Sequence, residues 1–197
     1  MTPLPYSAAA ARIVFNVVLI GFLALEARVR VRSARNPRGR REDARTFALV
    51  WLGVAGGVGG AFALATGVPA TAIGVLRWPL FVAGIVVMTA GIAVRQWAVH
   101  RLGRFFTVDV RVHADQTVVS TGPYRWVRHP SYLGLLMTLL GIGLALGSWA
   151  ALIVILVLPT AVLVVRIGIE ERALAAGLGP AYTEYARGRA RLIPGVW

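Results

Sequence analysis

The chain has 197 residues, of which 57% are hydrophobic and 15% charged, and its mean hydropathy is +0.71. Soluble domains carry about a quarter charged residues, so this balance points to an integral membrane protein with room for a handful of spans and no second soluble domain. The net charge is +13, every one of the 21 basic residues is arginine, and the absence of cysteine excludes disulfides, thiolate metal sites and cysteine nucleophiles.

Five apolar segments are predicted to be spanning helices, each with roughly the 17–25 residues that a crossing needs. The first runs from Ala8 to Ala27, with Arg12 near its start. It has a long apolar stretch, no small-residue cleavage site and eight arginines after it, so it reads as a retained span rather than a signal peptide. The second, Thr46 to Thr66, is rich in glycine, which suits close helix contacts within the chain or between chains. The third, Trp78 to Val99, carries Arg95 near its end, where a long side chain is expected to snorkel. The fourth and fifth, Ser131 to Ser148 and Trp149 to Ile169, are joined by Gly147-Ser148-Trp149, too short for anything but an antiparallel hairpin. Pro159 predicts a kink in the fifth. After it, Arg172 to Trp197 reads as a short amphipathic helix and a return stretch. Leu174, Leu178, Tyr182 and Tyr185 share a face there, and Gly177 and Gly179 interrupt it.

Arginines fall in three groups: eight from Arg28 to Arg45, six from Arg95 to Arg128 and five from Arg166 to Arg191. Five spans put all three on one side, which charge asymmetry makes cytoplasmic, with the N-terminus outside and the C-terminus inside. Such basic loops meet anionic lipid headgroups; no zinc-finger, basic-zipper or RNA-recognition pattern supports nucleic acid as a partner. The expected fold is all-α, with residues 1–75 as an N-terminal helix pair and 76–197 as the core.

The hairpin brings two polar clusters together. One is GPYRWVRHPSYLG, Gly122 to Gly134, and the other is RIGIEE, Arg166 to Glu171. Polar side chains at that depth are costly unless they bind something. These two strings, with GRFFTVDV from Gly103, RIGIEERALAAGLGPAYTEY from Arg166 and the ending RLIPGVW, resemble the isoprenylcysteine carboxyl methyltransferase family and its relatives the phospholipid N-methyltransferases. Sterol reductases share a diluted form of the pattern. The resemblance covers roughly the C-terminal half. It implies a non-Rossmann membrane methyltransferase that takes S-adenosyl-L-methionine from the cytoplasm and a lipophilic or prenylated substrate from the bilayer. O-methylation of a lipid carboxylate is the leading expectation. The alternatives are N-methylation of phosphatidylethanolamine and a non-catalytic membrane scaffold.

Within that resemblance, Arg128 is expected to orient the substrate carboxylate through paired hydrogen bonds, and Arg166 to join it or to steer the glutamates. The alternative reading of Arg128 is topogenic, and Arg125 is read as a headgroup contact. His129, before Pro130, is either a capping or packing residue or a donor to the cofactor carboxylate or ribose; His100 and His113 lack ligand spacing, and no metal is expected. Tyr124 and Tyr132 are interfacial anchors or rings against the sulfonium, Tyr132 being the better candidate. The resemblance assigns one of Glu170 and Glu171 to the cofactor's amino group or ribose, and Gly141 and Gly143 to a cofactor-contacting element that helix packing explains equally well. Phe105, Phe106 and Thr107 are expected in a loop over the site, with Trp97 as a wall.

Overall fold

The computed structural model describes residues 2–34, 40–43, 45–107, 110–112 and 115–197, the side chains of 40–47 and 110–112 excepted. Its elements in chain order are α1 (Leu4–Ser7), α2 (Ala9–Ala34), β1 (Arg40–Asp43), α3 (Arg45–Gly67), α4 (Arg77–Leu102), β2 (Val110–Val112), α5 (Pro130–Leu146), α6 (Trp149–Leu178) and α7 (Pro180–Ala186). It is an all-α membrane fold. Besides the short α1, the described residues add to the expected helices an antiparallel ribbon in which Arg40 faces Val112 and Arg41 faces Arg111, tying the segment after α2 to the segment after α4.

The predicted hairpin forms as its link requires. Gly147 takes a left-handed conformation at φ +62°, which only glycine adopts without strain. Ser148 then caps α6, its Oγ accepting the Ala151 N–H at 3.3 Å. The same turn is anchored from outside: Ile73 N donates to Gly147 O at 2.8 Å, and the Thr71 and Ser148 hydroxyls share a hydrogen bond of 2.8 Å. Arg77 donates to Ser7 Oγ at this end. At the opposite end the β-ribbon and a bridge between Val127 and Ala190 gather the arginine-bearing segments.

Glycine sets how close the helices come. Along the α4–α5 seam, a Cβ on Gly84 would lie 2.6 Å from Gly141 O and from Ala145 N, and one on Gly134 would lie 2.6 Å from Arg95 N. The two backbones therefore touch. The glycine-rich run of α3 packs within the chain: Gly53 meets Val162, Gly57 meets the ring of Pro159, and Gly60 meets Val154, all on α6. Large apolar side chains such as Ile13, Val17, Leu52, Val86 and Val165 remain exposed along the outer faces, as a bilayer solvent demands.

Among the described residues four helices are long and apolar enough to cross a membrane: α2, α3, α4 and α6. The fourth expected span, α5, is shorter at 17 residues, about 25 Å at 1.5 Å per residue. Its partner α6 has 30 residues and does not stop near Ile169. It runs on through Arg172 to Leu178, because ERALAAGL is made of good helix formers although its hydropathy falls. The expected break at Gly177 is absent; Gly179, at φ +60°, ends the helix and starts α7. Glu170 and Glu171 thus sit inside a continuous helix, beside the start of the shorter α5.

Candidate functional site

The start of α5 is built by two segments that clasp each other. Pro130 opens the helix, and His129 before it makes no side-chain cap, so the capping alternative fails. The backbone of Arg128 and His129 donates instead to Ala190 O at 2.9 Å and Arg191 O at 3.0 Å, holding the C-terminal tail alongside. Glu171 locks that clasp. Its Oε1 lies 2.7 Å from an Arg128 guanidinium nitrogen and 3.3 Å from His129 Nε2, and its Oε2 accepts from Arg191 Nε at 2.9 Å.

Glu170, about 100° round the helix from Glu171, faces inward. Arg166 Nε donates to the Tyr132 hydroxyl at 2.8 Å, and that hydroxyl donates to Glu170 Oε2 at 2.6 Å. Arg166 lies one turn before Glu170, as the sequence suggested, and Tyr132 stands between them. The His129 ring stacks on the Tyr132 ring at 5.6 Å and 18°, covering one face of it.

These groups line a cavity of about 400 Å³ with two unlike ends. At the polar end stand Tyr124, Arg128, His129, Arg166, Glu170 and Tyr182, with Phe105, Phe106 and Thr107 on the wall as expected. The other end is an apolar arm between α2, α3 and α5, lined by Phe22, Val54, Val58, Leu139 and Ile142. Arg30 of α2 lies over the Trp51 ring of α3 at 3.2 Å, bridging those helices at the cavity wall.

Two polar atoms on this wall are buried without a partner: Arg128 Nε and the Tyr182 hydroxyl. Buried polar atoms are nearly always paired in folded proteins, so these two point to a ligand. The nearby phenols are fixed as donors. Burial raises the pKa of Tyr124 and Tyr182, with further increases from the Glu170 charge on both and from Glu171 on Tyr182, and burial pushes Tyr185 up to about 12. Tyr185 donates to Tyr124 O at 2.9 Å, and Tyr124 to Ala98 O at 3.4 Å, stacking α7 on the last turn of α4.

Several expectations need correction. Glu171 does not line the cavity; both its oxygens serve the tail clasp. Gly141 and Gly143 are not on the wall either. Gly141 packs against the backbone of Met88 on α4, and a Cβ on Gly143 would lie 2.8 Å from Leu152 on α6, so helix packing accounts for both. Trp97 is 39% exposed, edge-on to Trp126 at 5.9 Å, and does not wall the site. Arg95 does not snorkel: it is 8% exposed and forms a two-pronged ion pair with the buried Glu26 of α2, the NH2–Oε2 arm at 2.7 Å. Its NH1 donates to Ser131 Oγ at 2.9 Å and Ser131 O at 3.1 Å. Glu26 went unread in the sequence; a lone acid in an apolar span was the available signal. His113 lies outside the described residues.

Residues 82–176 match the model of the isoprenylcysteine carboxyl methyltransferase family. A protein-S-isoprenylcysteine O-methyltransferase of Saccharomyces cerevisiae is 32% identical over 53% of this chain and 44% of its own length. Protein-S-isoprenylcysteine O-methyltransferase A of Arabidopsis thaliana is 30% identical over 57% of this chain and 58% of its own. An uncharacterised Bacillus subtilis protein, YpbQ, is 29% identical over 49% and 56%. The chain spans about half the length of these relatives, and the matched residues hold most of α4, all of α5, most of α6 and the Arg128, His129 and Glu171 members of the clasp, but not its tail residues Ala190 and Arg191. Through these residues the chain is similar to the isoprenylcysteine carboxyl methyltransferase family.

Proposed function

We propose that this protein is a membrane carboxyl O-methyltransferase that uses S-adenosyl-L-methionine and esterifies a lipophilic acid, prenylcysteine-like or a free isoprenoid acid. The observation that carries the reading is the two-ended cavity of about 400 Å³: an apolar arm lined by side chains of α2, α3 and α5 adjoins a cluster holding Arg128, Arg166 and Glu170. The polar end suits the cofactor. The unpartnered Tyr182 hydroxyl supplies a donor for ribose oxygens and Glu170 a charge for an amino group, while the unpartnered Arg128 Nε beside them is a donor for the substrate carboxylate. When bound, the cofactor would supply an electron-poor methyl group: the ester O–C bond would form as the sulfonium S–C bond breaks, S-adenosylhomocysteine leaving as a neutral thioether, and a carboxylate, already ionised near neutral pH, has no proton to lose.

The protein's own task is then positioning and drying. Arg166, held by Tyr132, and Arg128, held by Glu171, present planar cations to the substrate carboxylate. Phe105 and Phe106 keep water from the reacting atoms. An ammonium headgroup would meet these arginines unfavourably, which argues against an aminophospholipid substrate. The gathering of the arginine segments at one end of the bundle supports a cytoplasmic site and an external N-terminus.

Purified protein incubated with methyl-labelled cofactor tests the reading. A base-labile ester on an isoprenoid acid or an S-prenylated cysteine is the expected product; label in phosphatidylethanolamine headgroups, or in no lipid, defeats it. Glu170→Gln is expected to weaken S-adenosylhomocysteine binding by tenfold or more in calorimetry, because it removes the charge and the acceptor strength that Tyr132 now serves.

A further inference from the structure

We infer that Glu26, on a helix outside the family-matched residues, is a positioning residue of this site, acting through Arg95 and Ser131 on Tyr132. The inference rests on the methyltransferase reading.

Glu26 is 4% exposed, on a helix face whose other cavity-lining residues are Leu19, Phe22, Leu23, Val29 and Arg30. Burying two charges carries a desolvation cost that their attraction offsets only when the geometry is good and additional hydrogen bonds support the pair. Both conditions hold here. Both Glu26 oxygens face Arg95, and the remaining guanidinium arm grips the hydroxyl and carbonyl of Ser131. An apolar pair would join α2 to α4 at less cost, so the ion pair contributes something other than adhesion.

What it contributes is legible in where the grip falls. Ser131 lies in the first turn of α5, and the next residue is Tyr132, which receives Arg166 and holds Glu170. The first turn of a helix is its least constrained part, because its N–H groups lack intrahelical partners. Arg95 pins that turn from the side. The bonded path therefore runs Glu26, Arg95, Ser131, then along the chain to Tyr132 and across to Glu170. Glu26 and Arg95 also line the cavity, between its apolar arm and its polar end. The helix that walls the lipid arm thus fixes the geometry of the residues assigned to the cofactor.

A mere strut and a positioning device differ in one measurable respect. Glu26→Gln leaves Arg95 buried without a counter-charge, lowering both stability and order. Glu26→Leu with Arg95→Met removes both charges, relieving the desolvation cost while leaving Ser131 ungripped. S-adenosylhomocysteine affinity by calorimetry and thermal unfolding in detergent are measured for wild type, single and double variants. The expected result is about tenfold weaker binding in both variants, with thermal stability recovered in the double alone. A double variant that is stable and binds within twofold of wild type overturns the inference and leaves the methyltransferase reading intact. So does a double variant that cannot fold, since the pair would then be a folding element. Wild type with no affinity for S-adenosylhomocysteine overturns the reading itself, and the inference with it.

Discussion

The two halves of the bundle are held together by opposite means. Helices α4 and α5 meet backbone to backbone through Gly84, Gly91, Gly134 and Gly141, and their seam buries Met88, Leu139 and Thr138 completely. Helix α2 shows its outer face to the bilayer, with Ile13, Val17 and Ile20 each more than 60% exposed, and its inner face is cavity wall over much of its length. One contact is maximal dispersion packing; the other is two ends and a buried ion pair. The lesson is that the seam fixes the fold, whereas the looser helix leaves room for a ligand and holds its place by a directional polar contact.

The largest effect is expected where the seam is broken. In Gly141→Leu the first added carbon alone falls inside the backbone of Met88, so the helices must separate along their length. Overpacking of this kind commonly costs about 1–3 kcal/mol, and more where backbone must move. The variant should fail to give a monodisperse, cooperatively melting protein in detergent. Normal melting would show that α4 and α5 are not clamped at this point, and the contrast between the halves would lose its basis.

A smaller effect is expected at the tail clasp. Glu171→Gln removes the charge that joins Arg128, His129 and Arg191. The Arg191 side chain is 38% exposed, so solvent screening reduces the loss to about 1–2 kcal/mol. Local opening of the tail should therefore increase roughly tenfold, read as faster limited tryptic cleavage after Arg187 and Arg189, with the global melting point moved less. Unchanged cleavage would mean that the backbone bonds from Arg128 and His129 hold the tail alone.

These cases also mark what the chain reveals without coordinates. The spans and the α5–α6 hairpin were legible because hydropathy reports solvent and a two-residue link leaves one geometry. The meeting of Arg128, His129 and Tyr132 with Arg166 and Glu170 follows from that hairpin. The division of labour between Glu170 and Glu171 does not. It depends on the rotation of α6 against α5, which is tied to the close contacts of α6 with Gly143 of α5 and with Gly53, Gly57 and Gly60 of α3. The run of α6 beyond Ile169 was missed because hydropathy falls there while helix propensity persists, and the two signals answer different questions. Glu26 and Arg95 lie 69 residues apart and pair only because α2 and α4 are neighbours, which no local pattern encodes.

The smallest effect lies within α3 and separates packing glycine from free glycine two residues apart. At Gly57 a Cβ would sit 3.1 Å from the Pro159 ring, so alanine must displace α6 by a few tenths of an ångström. At Gly59 no atom lies within 4 Å, and the position is exposed. Helix propensity alone then governs: Gly59→Ala should stabilise by about 0.5–1 kcal/mol, while Gly57→Ala gains the same propensity and loses it to the strained contact. Thermal melts of the two variants should therefore diverge, Gly59→Ala above wild type and Gly57→Ala at or below it. A drop at Gly59 would mean that this face packs against something other than lipid, a second copy being the first to examine by the oligomeric state of the variant.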